Sequence, residues 1–248
     1  MSGEGNFIFG VNPVLEKIKA APHEIDEIVL ADKALRPVLR EIEKHARDRG
    51  IRLAYRPTGV LDRLAGGPKH QGVVAAVRPY AYLSFEALLD GVAGADAEHR
   101  VLALDGVTDP RNLGALLRSA EAFGVRHVVL PKDRSAAISP AVVKASAGAV
   151  HHLRVCRVPN LRRALVALKE RGFWVVGLDP GASESLFEPT FPERLAIVVG
   201  SEGSGIRRLV LESCDFRVAI PMRGKVGSLN VAVAGGIFLY ELFRRSLR

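Results

Sequence analysis

Cysteines and long apolar runs are scarce in this sequence of 248 residues, and each shortage excludes a class of protein. The two cysteines, Cys156 and Cys214, stand far apart without a CxxC or Cys/His spacing, which predicts neither a disulfide framework nor structural zinc. No apolar run approaches the roughly 20 residues that a membrane span needs. The opening stretch MSGEGNFIFG lacks a basic segment followed by an apolar one, which argues against secretion. We expect a reduced, cytoplasmic protein that holds no metal.

Acidic residues are outnumbered by basic ones, and the excess is uneven along the chain. The formal net charge is +8, and residues 101–248 hold 21 Lys and Arg against 13 Asp and Glu. Such an excess favours a polyanionic partner, although an arginine-rich genome would produce the same composition. Much of it is arginine, whose planar donor fork suits phosphate. Aromatic residues make up only 6% of the chain, so stacking on bases is not an evident feature.

The alternation of strand and helix patterns predicts two domains. Residues 1–78 alternate short strands and helices and predict a small α/β domain, with Asn12 as the N-cap of its first helix. Residues 79–100 are acidic and rich in small residues, with one weak apolar helix, and predict a linker that partly packs. Residues 101–248 repeat a continuous apolar strand followed by a helix, which predicts a parallel sheet covered on both faces.

The stretch GSEGSG, residues 200–205, follows the apolar run LAIVVG and precedes a helix, an arrangement that often cradles a phosphate. A dinucleotide-binding loop needs GxGxxG early in its domain, whereas here the order is reversed and the position is late. A P-loop needs GxxxxGK[ST], and the lysine is missing. Glu202 would repel phosphate in either role. A purely structural turn remains open, because glycine permits a positive φ.

Two further polar stretches follow predicted strands. The first, TDPRNLGALLR, contains Asn112 and Arg118, and the second, MRGKVGSLN, contains Ser228 and Asn230. Taken singly, both asparagines fit helix N-caps and the arginine fits a solvated helix face. All three stretches nevertheless lie at the carboxyl ends of strands, where open parallel α/β sheets bind their ligands. Their coincidence predicts one shared ligand site.

Three ordered motifs in the C-terminal domain resemble those of the SpoU (TrmH) family of RNA ribose 2′-O-methyltransferases, of the SPOUT class. They are LDGVTDPRNLGALLRSAEAFG, IVVGSEGSGI and IPMRGKVGSLNVAVA. The N-terminal part, with FGVNPVLEKI and HQGVVAAV, resembles the L30e-like substrate-binding domain of RlmB-type members, which methylate a guanosine ribose in 23S rRNA. The resemblance implies S-adenosylmethionine as cofactor, rRNA as partner, a homodimer, and a trefoil knot at the last helix.

The resemblance also assigns roles to individual residues. The cofactor site comprises Gly200, Ile220, Met222, Ser228 and Leu229, and the catalytic group comprises Arg118, Asn112, Glu202, Ser228 and Asn230. We expect Arg118 to clamp a phosphate and stabilise a developing alkoxide, since a guanidinium with a pKa above about 12 is a poor base. A carboxylate at Glu202 suits a sulfonium cation, although it would equally hold Arg118 or a backbone turn.

Seven basic residues are candidates for RNA contact, with a solvated surface as the alternative. They are Arg111, Arg223 and Lys225 near the motifs, and Arg52, Arg56, Lys69 and His70 in the N-terminal domain. Three other functions remain open: methylation of a tRNA guanosine, methylation of an rRNA adenosine, and a non-catalytic role in RNA binding or ribosome assembly. Intact polar residues in all three motifs argue against loss of activity.

Overall fold

Two units make up the chain in the computed structural model, residues 1–80 and 81–248. The structure describes residues 7–32, 37–94 and 100–247. The first unit contains β1 (Phe7–Phe9), α1 (Val11–Ala20), β2 (Ile25–Ala31), α2 (Pro37–Asp48), β3 (Leu53–Arg56), α3 (Thr58–Ala65) and β4 (Val73–Val77). The second contains α4 (Phe85–Gly91), β5 (Arg100–Leu104), α5 (Pro110–Ala122), β6 (His127–Pro131), α6 (Pro140–Ala145), β7 (Arg154–Val158), α7 (Leu161–Glu170), β8 (Trp174–Leu178), β9 (Glu184–Ser185), β10 (Leu195–Val199), α8 (Arg208–Leu211), β11 (Phe216–Ala219) and α9 (Val231–Ser246). Over these described ranges, no helix combines the length and the apolar character that a bilayer crossing demands.

The first unit is a four-stranded sheet in the order β1-β4-β2-β3, with mixed strand directions. Only β2 and β3 run parallel, and α2 connects them. This helix buries Leu39, Ile42 and Ala46, whose spacing of three and four residues places them on one face. They pack against strand residues such as Ile28 and Leu30, which forms the core of the unit.

The second unit is a seven-stranded sheet in the order β7-β6-β5-β10-β8-β11-β9, in which every pairing is parallel. The central strand β10, LAIVV, is buried along its whole length, as expected for a strand covered on both faces. The predicted parallel α/β sheet is therefore confirmed. Parallel strands end at the same edge, so the loops after β5, β10, β8 and β11 are neighbours.

Helices cover both faces of this sheet. Alternate strand residues such as Val101 and Val198 pack with α4 and α7 in one apolar cluster. On the other face α9 packs against α5 and the sheet. A Cβ built on Gly235 of α9 would lie 2.3 Å from Leu116 Cδ2 and 3.8 Å from Val199 Cγ1, so this close approach requires glycine. The pairing of α5 with α9 sets the positions of two polar loops.

Part of the segment predicted as a linker, residues 79–100, belongs to the second unit's core. Leu88 and Val92 of this segment are fully buried there. Leu83 forms a single parallel bridge with Cys156 of β7, and Leu83 N donates to Val155 O at 2.8 Å. The Ser84 hydroxyl caps α4 by accepting from Ala87 N at 3.1 Å. Residues 95–99 lie outside the described residues.

Two predicted helix caps are wrong. Helix α5 begins at Pro110 and is capped by Asp109, whose carboxylate accepts from Arg111 N at 2.7 Å, because Asp109 and proline at the first turn outcompete Asn112. Helix α1 begins at Val11 rather than after Asn12, and the Gln71 side chain accepts from Val11 N at 2.9 Å. That acceptor comes from a residue 60 positions away, which local sequence does not reveal.

Candidate active site

The turn after β10, residues 200–205, closes on itself rather than opening as an anion cradle. Ser201 N donates to Gly205 O at 2.9 Å, and Gly205 N donates back to Ser201 O at 3.0 Å. A Cβ on Gly200 would lie 2.1 Å from Gly205 C and 2.2 Å from Ile206 N, so no side chain fits there. The two backbone bonds use amides that a phosphate loop would leave free. The turn is built to hold a compact shape.

A cavity of about 320 Å³ lies beside this turn at the carboxyl edge of the sheet. Its lining includes all five predicted cofactor residues, Gly200, Ile220, Met222, Ser228 and Leu229. Leu178 at the end of β8 and Pro180 after it add apolar wall, and Glu202 and Asn230 contribute polar groups. Residues 221–230 are all exposed, so this side of the cavity faces solvent. The sequence signal for Leu178 and Pro180 was weak, because only the strand order brings β8 between β10 and β11.

Three side chains meet beside the cavity, one from the first turn of α5, one from the turn after β10 and one from the N-cap of α9. Asn112 Nδ2 donates to Glu202 Oε2 at 2.8 Å, and Asn230 Nδ2 donates to Asn112 Oδ1 at 3.0 Å. Asn230 Nδ2 also lies 3.4 Å from Glu202 Oε1. Asn230 is the N-cap of α9, and its Oδ1 accepts from Ala232 N and Val233 N. Capping fixes the orientation of this amide, so its Nδ2 is left to bind Asn112 and Glu202.

An ion pair between the buried Asp105 and the exposed Arg207 supports the turn. Asp105 follows β5 and is 1% exposed. Its carboxylate accepts from Arg207 N at 2.8 Å and from Arg207 Nε at 2.7 Å. Arg207 directly follows the 200–206 segment, so the pair joins the end of that segment to the end of β5. The one signal in the sequence was an aspartate that ends a buried apolar strand.

Arg118 lies on α5, outside the lining of the cavity. It is exposed, and within the described residues its guanidinium forms neither a hydrogen bond nor an ion pair. Glu202 does not contact Arg118, because it binds Asn112 and Asn230 instead. Arg118 is therefore a charged side chain without a partner among the described residues, and it lies on the same helix as Asn112.

The predicted RNA-contacting residues fall into two groups. Arg111, Arg223, Lys225, Arg56 and Lys69 are exposed, and Arg52 is exposed with a 3.1 Å ion pair to Glu27. His70 differs from these, because it is 3% exposed. Its Nε2 lies 3.1 Å from Asp62 Oδ1, and its Nδ1 accepts from Gly72 N at 3.0 Å. His70 thus stabilises the turn before β4, and its burial contradicts the prediction that it contacts RNA.

The two cysteines cannot serve as nucleophiles at neutral pH. Burial raises the pKa of both Cys156 and Cys214 to about 12, so each thiol stays protonated. Trp174 is half exposed at the amino end of β8. Among the described residues no group of three metal-binding side chains occurs. The polar side chains that line the cavity include the Asn230 amide, the Glu202 carboxylate and the Ser228 hydroxyl.

Comparison with known proteins assigns both units. Residues 99–240 match the SpoU rRNA methylase family, and residues 7–83 match a family described as RNA 2′-O ribose methyltransferase substrate binding. A putative TrmH family tRNA/rRNA methyltransferase, YacO of Bacillus subtilis, is 39% identical over 245 residues, which cover 99% of this chain and 98% of that protein.

Two solved structures extend the comparison. The SpoU methyltransferase AviRb of Streptomyces viridochromogenes in complex with the cofactor AdoMet is 25% identical, with a TM-score of 0.71, and the match covers 97% of this chain and 90% of that one. A structure concerned with 2-OH methylation of C/U34 on tRNA is 30% identical, with a TM-score of 0.55, and covers 61% of this chain and 99% of its own. The chain belongs to the SpoU (TrmH) family and is an S-adenosylmethionine-dependent RNA 2′-O-methyltransferase.

Proposed function

We propose that this enzyme methylates the ribose 2′-hydroxyl of a guanosine in 23S rRNA. The observation that carries the choice of RNA is the N-terminal unit, which matches a substrate-binding family over residues 7–83. The tRNA-directed structure, by contrast, matches 61% of this chain with nearly all of its own length. A separate unit for the substrate favours a large folded RNA, which proteins recognise through shape and backbone.

The cavity suits S-adenosylmethionine in shape and charge. Leu178, Ile220 and Leu229 supply apolar wall for a nucleoside, and Gly200 lets the turn beside them close on itself. Glu202 places a carboxylate at the cavity, which favours a cation and disfavours a phosphate. When bound, the cofactor supplies an electrophilic methyl group on its sulfonium.

The cluster of Asn112, Glu202 and Asn230 orients the reacting groups in this proposal. Each asparagine is a donor to Glu202, so the direction of the carboxylate is fixed. Ser228 lines the same cavity and contacts cofactor or ribose. Holding the hydroxyl oxygen in line with the methyl group supplies much of the barrier reduction.

Arg118 acts on the RNA rather than on the cofactor. Its guanidinium is exposed and free of protein partners in the described part of the chain, as a group reserved for a phosphate would be. A cation beside the ribose also stabilises the alkoxide that develops as the proton leaves. Arg111, Arg223 and Lys225, all exposed, extend this RNA surface.

We propose in addition that the protein is a homodimer in the cytoplasm. Val233 and Tyr240 of α9 and Leu247, the C-cap residue of that helix, are spaced seven residues apart and are 52%, 52% and 70% exposed. Seven residues are two helical turns, so the three side chains form one apolar stripe. Burying the stripe against a second copy would remove it from water. Light scattering should give twice the mass of one chain, and the mass of a single chain would contradict the dimer.

Mapping of ribose methylations tests the RNA target. The methylations of rRNA and tRNA are compared in cells with and without the protein. Loss of one 2′-O-methylguanosine in 23S rRNA is the expected result. Loss of a tRNA mark or of a 2′-O-methyladenosine would replace the proposed target, and an unchanged map would favour a binding or assembly factor.

Substitution of Arg118 tests its role. Arg118→Ala should lower turnover by roughly a hundredfold or more, the range found when an electrostatic donor is removed from a reacting centre. Its affinity for S-adenosylmethionine, measured by calorimetry, should equal that of the wild type because Arg118 is outside the cavity. Arg118→Lys keeps the charge and should recover part of the turnover. Equal losses of cofactor affinity and turnover would contradict the assignment.

A further inference from the structure

The segment between β6 and α6, residues 132–139, is a loop at the edge of the sheet that carries the active site. It follows the carboxyl end of β6, whose neighbour in the sheet is β5. Ala136 N donates to Val107 O at 2.9 Å, and the Ser135 hydroxyl lies 3.5 Å from the same carbonyl oxygen. Val107 belongs to the loop that leads into α5 and Asn112. The 132–139 loop is therefore bound to a loop of the active site.

Gly106 shows how close this loop lies to the turn after β10. Its φ is +83°, and a Cβ built there would be 3.5 Å from Ser201 Cβ and 3.8 Å from Arg134 O. Ser201 and Arg134 thus approach the same backbone position. Three strand-end loops meet at Gly106, and one of them carries Arg134.

Arg134 has an unusual backbone for an arginine. Its φ is +55°, in the left-handed region that glycine and asparagine adopt more easily. Strain of this kind persists only where surrounding contacts impose it, and it concentrates at functional sites. Here the imposing contacts come from the backbone of Ala136 and from Ser135. The conformation directs the chain locally without using the Arg134 side chain.

The side chains of Lys132 and Arg134 are both exposed and uncompensated. In the described ranges neither the Lys132 ammonium nor the Arg134 guanidinium has a hydrogen bond or an ion pair. Asp133 lies between them, so this short stretch has one net positive charge. Their contacts among the described residues therefore give no structural reason for the two cations. Their position beside the loops of the active site suggests a functional reason.

We propose that Arg134 and Lys132 bind backbone phosphates of the RNA next to the ribose that is methylated. This inference rests on the proposed methylation of RNA at the neighbouring cavity. The target ribose is flanked by a phosphate on each side, so cations beside the site meet backbone charge whatever the base. Arginine contributes two parallel donors to a phosphate, and lysine contributes a point charge. The two residues position RNA and do not touch the methyl group.

The test compares Arg134→Gln and Lys132→Gln with Arg154→Gln. Arg154 is the matched control, because it is an exposed arginine at the amino end of β7, the opposite edge of the same sheet, and its side chain has no hydrogen bond or ion pair among the described residues. Glutamine removes the charge and keeps the side chain polar. The RNA probe is an unmodified transcript of 23S rRNA, bound at several salt concentrations, and cofactor affinity is measured separately.

Each loop variant should bind the transcript roughly 5- to 20-fold more weakly, as loss of one hydrogen-bonded charge implies. The slope of the logarithm of the binding constant against that of the salt concentration should fall by about 1. Arg134→Lys should restore most of the binding and the slope. Cofactor affinity and the Arg154→Gln variant should match the wild type.

Two results would overturn the inference. One is wild-type RNA affinity and salt slope in both loop variants, and the other is an equal loss in Arg154→Gln. A failure of the proposed function is distinguishable from these outcomes, because the wild type itself would then leave the transcript unmethylated. A loss of cofactor affinity in Arg134→Gln would show a role in the shape of the loop and would also overturn the inference.

Discussion

Replacing Gly200 by alanine should disable cofactor binding through a collision with the backbone of its own turn. The added Cβ would lie 2.1 Å from Gly205 C, and real Cβ contacts essentially never fall below 3.0 Å, so the two strands of the turn must separate by at least 0.9 Å. The paired bonds between Ser201 and Gly205, now 2.9 and 3.0 Å, would stretch beyond about 3.5 Å and be lost.

The magnitude follows from these two bonds and from the position of the turn. Two backbone hydrogen bonds contribute about 1–3 kcal/mol to the free energy of unfolding. Because the turn lines the cavity, its displacement also moves the groups that align the reactants, and a 1 Å misplacement costs about a hundredfold in rate. We expect Gly200→Ala to be folded, slightly destabilised and unable to bind S-adenosylmethionine at wild-type affinity.

Calorimetry with the cofactor and thermal denaturation measure the two effects separately. Gly224→Ala is the matched control, because a Cβ at Gly224 has nothing within 4 Å although the residue lies in the neighbouring 222–230 stretch. This control should bind cofactor as the wild type does. The reasoning would be refuted by a Gly200→Ala protein that retains wild-type cofactor affinity and turnover.

Two further predictions concern charged groups. Asp105→Asn removes the buried partner of Arg207 and should lower the free energy of unfolding by about 1–3 kcal/mol, measured with denaturant, and weaken cofactor binding because Arg207 follows the turn. Unchanged stability would contradict this. The hydrogen bonds from Arg244 and then Arg245 lower the pKa of Glu241 from 4.5 to about 2. Its ionised form thus stabilises the fold by at most about 3 kcal/mol above pH 4.5, and this contribution is lost as the pH falls towards 2. The melting-temperature difference between wild type and Glu241→Gln should shrink from pH 7 to pH 3, and a constant difference would be evidence against it.

Much of the fold was predictable because its signals are local. The apolar strands VLAL and LAIVV and the amphipathic helices between them predicted the parallel sheet that the structure contains. The N-cap at Asn230 was predicted from the residue type and confirmed by its bonds to Ala232 N and Val233 N. Short elements were missed, namely β1 with three residues and β9 with two, because such lengths hold no periodicity. The trefoil knot stays a prediction.

The candidate site was predictable only as a set of loops. Asn112, Glu202 and Asn230 were chosen separately, and the predicted parallel sheet implied only that the segments carrying them share an edge. The hydrogen bonds among the three, the buried Asp105 and the left-handed Arg134 depend on contacts between residues up to 118 positions apart. His70 shows the reverse case, since its residue type suggested RNA contact and its burial gave it a structural role.

The sequence by itself therefore determined the features that depend on single residues and on short periodic patterns. These are the charge, the positions of most strands and helices, and the residue types of three polar segments. Which side chains meet, which are buried and which stay free was decided by the packing of α5 against α9 and by the order of strands in the sheet. The physical reason is that a hydrogen bond or a collision depends on separations of a few tenths of an ångström between distant residues. Sequence spacing carries no such distance, and only the folded chain supplies it.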